Sequence, residues 1–254
     1  MKALIQRTVM ECTIGKCGGE PLPGQTISFI VRFNFTAYET ITDIDPDDVQ
    51  PYDQSESLYA LYTQSEPFIE AADPEIAELA NQVAEGETNP YLLARKFYDY
   101  IAVTDTLEYN LLRTDGWGAK ALLTTGEGEC GDFAALFCAL CRATGVPARP
   151  VVGAWAASGE QGHVWAEFYV EPFGWIPVDP TIGHVDPRWR GYYFGSMDNK
   201  RVIENKGFNI QLDPPTPGND AVPGLQGPYW FFWGSGNAQD MHLEYTAWTV
   251  KKIL

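Results

Sequence analysis

Positive charge is scarce in this 254-residue chain: 17 Lys and Arg stand against 34 Asp and Glu, a formal net charge of -17. A surface of that sign repels phosphate backbones and anionic lipid, so neither nucleic acid nor a membrane is expected as a partner. The excess acid serves solubility first and only secondarily favours basic substrates. Long apolar runs are missing as well. Nothing approaches the roughly 18 continuous apolar residues of a membrane span. The opening Met1-Lys2-Ala3-Leu4-Ile5-Gln6-Arg7 lacks the apolar stretch of a signal peptide. As written, the chain reads as cytoplasmic, or as exported if a leader has been trimmed from it.

Histidine is rare, with three residues at 163, 184 and 242. Cysteine stands at five, an odd count that leaves at least one thiol unpaired. Cys12 and Cys17 flank a turn-like segment around Gly15 and are compatible with a bridge or with two free thiols. Cys138 and Cys141 lie three apart on an expected helix, where a disulfide is strained, and are read as small buried apolar residues. A zinc set does not assemble from Cys130, Cys138 and Cys141, because the first sulfur lies roughly 12 to 16 Å along the helix axis from the others. No metal and no cofactor is expected. Apolar and aromatic residues, by contrast, reach 45% and 13%. That suffices for a sizeable core in one large domain, or in a larger domain with a small companion.

Residues 1–65 read as β-rich, with Ile27, Phe29, Val31, Phe33 and Phe35 alternating as a half-buried strand does. Thr42 to Ser57 reads as an exposed acidic loop. Its Asp43, Asp45 and Asp47 imitate the start of a calcium loop, but Asp48 stands where Gly is needed and Gln54 where Glu is needed. Two helices follow, each opened by a cap and a proline: Asp73-Pro74, ending at Gly86, and Asn89-Pro90, carrying Leu93, Phe97, Tyr100 and Ile101. A third runs from Cys130 to Gly145-Val146-Pro147. Strands are expected at 148–155, 163–170 and 174–178. Beyond Gly191 come short strands and loops, with Asp213 to Gly218 irregular.

Three segments carry chemistry. In Gly126-Glu127-Gly128-Glu129-Cys130-Gly131-Asp132, glycines leave the sulfur accessible at a loop-to-helix junction. The helix N-terminus favours the thiolate, and the Cys130 N–H can donate to an oxyanion. In Gly162-His163-Val164-Trp165-Ala166-Glu167, an imidazole near the start of a strand can accept the thiol proton and return it to a leaving group. In Val178-Asp179-Pro180-Thr181, Asp179 ends the neighbouring strand, where a carboxylate can hold the other imidazole N–H. A symmetric four-residue turn at 171–174 puts 163 and 179 on opposite faces of the hairpin. A bulge, or a place for Asp179 beyond the regular strand, is then required. His184 reads as surface polarity in a loop, His242 as remote from the site, and Trp165 and Trp175 as packing residues.

These motifs, together with Arg142-Ala143-Thr144-Gly145-Val146-Pro147-Ala148-Arg149, resemble the transglutaminase-like superfamily, in the family's order of Cys, His and Asp. The resemblance extends loosely over 70–210. It implies an α+β, papain-like fold with the nucleophile helix on an antiparallel sheet, and thiol acyl transfer without cofactor. The division that follows is a β-rich region at 1–65, a catalytic core at 70–210 and a β/loop extension at 211–254 packing on the core. Cys130, His163 and Asp179 are the expected triad. Trp117 and Tyr109 are candidates for the oxyanion partner, against a reading of each as core or cleft-wall packing. The expected substrate is a peptide or protein. Hydrolysis is favoured because no second-substrate site is evident; transamidation and a non-catalytic peptide-binding module are the alternatives.

Overall fold

Asp73 and Asn89 open their helices as expected: each side chain accepts from the first-turn N–H groups, and each is followed by proline. The structure, a computed structural model, describes residues 36–112, 116–156, 161–216 and 218–226. In chain order the elements begin with β1 (Thr40–Ile41), α1 (Ser57–Thr63), α2 (Pro74–Ala84) and α3 (Pro90–Val103). Then come β2 (Glu108–Tyr109), α4 (Ala119–Thr125), β3 (Glu127–Gly128) and α5 (Cys130–Ala143). The main strands β4 (Ala148–Trp155), β5 (Gln161–Val170) and β6 (Gly174–Val178) lead to α6 (Pro180–Val185). Last are β7 (Ser196–Met197), β8 (Arg201–Lys206), β9 (Ile210–Thr216) and β10 (Asn219–Val222).

The organising unit is α5 on an antiparallel sheet of order β6-β5-β4-β8, the α+β arrangement the resemblance implied. Every residue of α5 from Cys130 to Arg142 is buried. A helix apolar all round belongs inside a molecule. Phe133, Leu136, Phe137 and Leu140 are each fully covered, at about 1.5–3 kcal/mol of hydrophobic stabilisation apiece. Val152, Val164, Ala166 and Phe168 belong to the same core cluster as α5, while Val151 and Trp165 form a second one with Tyr193 and Met197. The alternation along β4 and β5 thus serves two apolar layers, and β4 is buried at six of its eight positions.

The strand expected from Ile27, the Cys12/Cys17 pair and His242 lie outside the described residues. The acidic stretch holds a 3-10 turn at Pro46–Asp48, where Asp45 accepts from the Asp47 N–H at 3.0 Å. One expectation fails in the C-terminal part. Residues 213–216 are not irregular, because they lie in β9, which pairs with β10 in a two-stranded sheet. A two-stranded sheet has only edges, and an edge strand tolerates Pro214-Pro215 without losing a central ladder bond.

Candidate active site

The turn between β5 and β6 decides where the imidazole and carboxylate meet. Pairing closes at Val170↔Gly174, one residue tighter than a symmetric four-residue turn. Gly174 takes φ +86°, a conformation open to glycine, as it enters β6. With Ala166 opposite Val178, extending the register sets Asp179 opposite Trp165, and therefore on the same face as His163. No bulge is required in this hairpin. Asp179 itself lies just beyond β6, as the N-cap of α6, where its Oδ1 accepts from the Ile182 N–H at 3.0 Å.

His163 Nε2 donates to Asp179 Oδ2 at 2.7 Å, and both groups are buried. With Nε2 so engaged, the ring's other nitrogen is left for Cys130, whose side chain lies close enough to help raise the imidazole. Burial alone would push the imidazole towards its neutral form. The Asp179 charge, the hydrogen bond that Asp179 accepts, and the neighbouring Cys130 side chain overcome that and raise it to about 9. Burial likewise opposes ionisation of Asp179, but His163 and Arg201 outweigh it and hold the carboxyl at about 2. At neutral pH the pair is therefore imidazolium and carboxylate.

Arg201 is the part of this arrangement that reading the sequence misses. Its Nη1 donates to Asp179 Oδ2 at 2.9 Å and its Nε to Asp198 Oδ2 at 3.0 Å. The guanidinium is buried over Trp155, Trp165 and Tyr193, at 4.9, 5.5 and 5.2 Å from their centroids. Burying it there makes Asp179 the meeting point of two cations. Asp132, also missed, is fully buried: its Oδ2 accepts from the Glu129 N–H and its Oδ1 from the Gly118 N–H. Together with Glu129 it makes a capping box that fixes the helix start carrying Cys130. The Glu-x-x-Asp spacing was the available signal.

The two oxyanion candidates fall differently. Trp117 packs against Gly131, where a Cβ would sit 2.6 Å from the indole, and its Nε1 donates to Glu129 Oε1 at 2.7 Å. Tyr109 is half-buried beside Gly128 through the short parallel pairing of β2 and β3, its ring 6.3 Å from that of Phe133. Burial, then the charges of Cys130, Glu129 and Asp179, push its phenol up to about 12. A cavity of about 320 Å³ lined by Trp117, Glu129, Val152, Val164, Phe208 and Gln226 flanks the site. His184 is not in a loop but in the last turn of α6, where its Nδ1 donates to the Ile101 carbonyl at 2.8 Å. That bond fixes it as a structural residue. Trp165 is buried, as expected, and Trp175 stacks under the Arg149 guanidinium at 3.7 Å. Cys138 and Cys141 are buried, and burial raises both thiols, Cys138 to about 12.

Residues 77–180, which include all five candidate residues, match the core model of the transglutaminase-like superfamily. The match covers less than half of the chain. An uncharacterized protein of Haemophilus influenzae is 30% identical over 46% of this chain and 38% of its own length. Among solved structures, a candidate cysteine protease from Cytophaga hutchinsonii is 19% identical with a TM-score of 0.46, over 74% of this chain and 63% of that one. The periplasmic domain of TgpA from Pseudomonas aeruginosa is 22% identical with a TM-score of 0.43, over 54% and 53%. The chain thus spans less than two thirds of each of these relatives. No helix among the described residues is long and apolar enough to cross a membrane.

Proposed function

We propose that this protein is a thiol-dependent acyl-transfer enzyme that hydrolyses amide bonds in peptides or proteins, with Cys130 as nucleophile, His163 as proton shuttle and Asp179 as orienter. The observation that carries the reading is the buried 2.7 Å contact between Asp179 and a His163 raised to about 9, with Cys130 among the groups that raise it. A buried ion pair of this kind is costly to assemble, and Cys130 begins α5, where a helix N-terminus suits a nucleophilic sulfur. The match of residues 77–180 to the transglutaminase-like superfamily model supports it further.

The sulfur attacks the carbonyl carbon, and the carbonyl π pair moves to oxygen. Collapse of that intermediate breaks the C–N bond as His163 gives its proton to the leaving amine, which leaves a thioester. His163 then removes a proton from water, the hydroxide attacks, and the thiolate departs. Asp179 keeps Nε2 as the protonated nitrogen throughout, so the other nitrogen does the shuttling.

The test is p-nitrophenolate release from p-nitrophenyl acetate, followed by mass spectrometry of a peptide mixture with and without glycine methyl ester. Expected are a burst that Cys130→Ala abolishes and peptide products carrying water. Release that survives Cys130→Ala refutes the triad, and incorporation of the amine in preference to water replaces hydrolysis by transamidation.

A further inference from the structure

We infer that the Tyr109 hydroxyl, paired with the Cys130 backbone N–H, forms the oxyanion hole, and that the Trp117 indole does not. The inference deepens the proposed acyl transfer and rests on it. An oxyanion hole needs donors that are uncommitted before the reaction and lie beside the attacking sulfur. Trp117 fails the first condition: its only N–H is held 2.7 Å from Glu129 Oε1, in a bond between the residue packed on Gly131 and the N-cap of α5. Turning that N–H towards an oxyanion would leave the Glu129 carboxylate with one donor fewer.

Tyr109 meets both conditions. The β2–β3 pairing sets it opposite Gly128, two residues before Cys130, and the Asn110 N–H donates to the Gly128 carbonyl at 2.8 Å to lock that register. Its ring lies against Phe133, one turn into the helix that Cys130 begins. Among the described residues its hydroxyl has no hydrogen-bond partner. It is close enough to feel the charges of Cys130, Glu129 and Asp179. Those charges, with burial, keep the phenol protonated across neutral pH, so it is a donor when the oxyanion forms. The Cys130 N–H is the first of α5, a position with no carbonyl one turn earlier in the helix to accept from it. As sulfur bonds to carbon, the carbonyl π pair lands on oxygen between these two donors; as the C–X bond breaks, it returns.

Tyr109→Phe deletes one oxygen that has no partner among the described residues, and two reactions of Cys130 separate the outcomes. Acylation by p-nitrophenyl acetate passes through an oxyanion; alkylation by iodoacetamide, a displacement at saturated carbon, does not. Acylation is expected to fall by roughly 10²–10³-fold, the loss typical of one oxyanion donor, while alkylation stays within about twofold. Intact alkylation also reports a folded site. Equal rates for both reactions, or a parallel loss in both, overturn the assignment. Wild-type protein that alkylates at Cys130 yet never acylates overturns the enzymatic reading itself, and Tyr109's role with it.

Discussion

Arg201→Met removes the guanidinium 2.9 Å from Asp179 and 3.0 Å from Asp198 while keeping an apolar stem under Trp155, Trp165 and Tyr193. Removing one partner of a buried ion pair costs about 3–5 kcal/mol, because the other charge stays behind. Here neither carboxylate is orphaned. Asp179 retains His163 and the Ile182 N–H, and Asp198 retains the Tyr193 hydroxyl and the Lys200 N–H. The lower end, about 3 kcal/mol, is therefore expected. At roughly 2–4 °C per kcal/mol for a domain of this size, the melting temperature falls by about 6–12 °C. Function changes in a direction that simple destabilisation does not predict. With one cation gone from Asp179, its field acts on His163 less opposed, so the imidazole is expected to titrate above its present value of about 9. The assays are thermal denaturation by circular dichroism and the pH dependence of p-nitrophenyl acetate acylation. A melting temperature within about 2 °C of wild type, or an alkaline limb that moves down, refutes Arg201 as a counter-charge to Asp179.

The same pair makes stability pH-dependent with a definite sign. His163 is raised from 6.5 to about 9, so its contribution is full below 6.5 and is lost as pH rises to about 9. Asp179 is lowered from 3.8 to about 2, so its contribution is present above 3.8 and is lost as pH falls to about 2. Urea denaturation at pH 6 and pH 9.5 is expected to show a loss of order 3 kcal/mol in the intact protein that His163→Gln lacks; equal losses in the two would show that other groups cause it. Iodoacetamide labelling mapped by mass spectrometry is expected to modify Cys130 and spare Cys138 and Cys141 until denaturant is added, since both are buried and their thiols are raised. Native labelling of either would contradict the closed packing of α5.

What the sequence made legible here is what is local. Asp73-Pro74 and Asn89-Pro90 announce helices because a cap and a pre-set φ act within a few residues. Cys130, His163 and Asp179 stand at a helix start, near a strand start and just past a strand end, each marked by its own neighbours. The helix α4 gives no such notice. It is seven residues long, its N-cap is Gly118 with no side-chain bond, and only Ala119 and Leu122 are buried, too little for a period to emerge. The parity of the β5–β6 hairpin is not legible in the sequence because the pair that closes it, Val170 with Gly174, depends on a positive φ at Gly174 that composition permits without specifying.

The groups that set the chemistry of the site come from pairing between distant segments. Arg201 reaches Asp179 because β8 lies beside β4 at the far edge of the sheet, a crossover that no periodicity in residues 201–206 reveals. The same applies to the two aromatic candidates for the oxyanion hole, which the sequence left level. A bond spanning 12 residues ties the Trp117 indole to Glu129, and the pairing of β2 with β3 carries Tyr109 to the helix start. The proposed nucleophile, base and orienter can thus be picked out from their neighbours, whereas the proton affinity of His163 and the proposed donor for the oxyanion depend on which strands lie side by side. A substitution that preserves all three expected triad residues, Arg201→Met or Tyr109→Phe, should therefore change the reaction as surely as one that removes them.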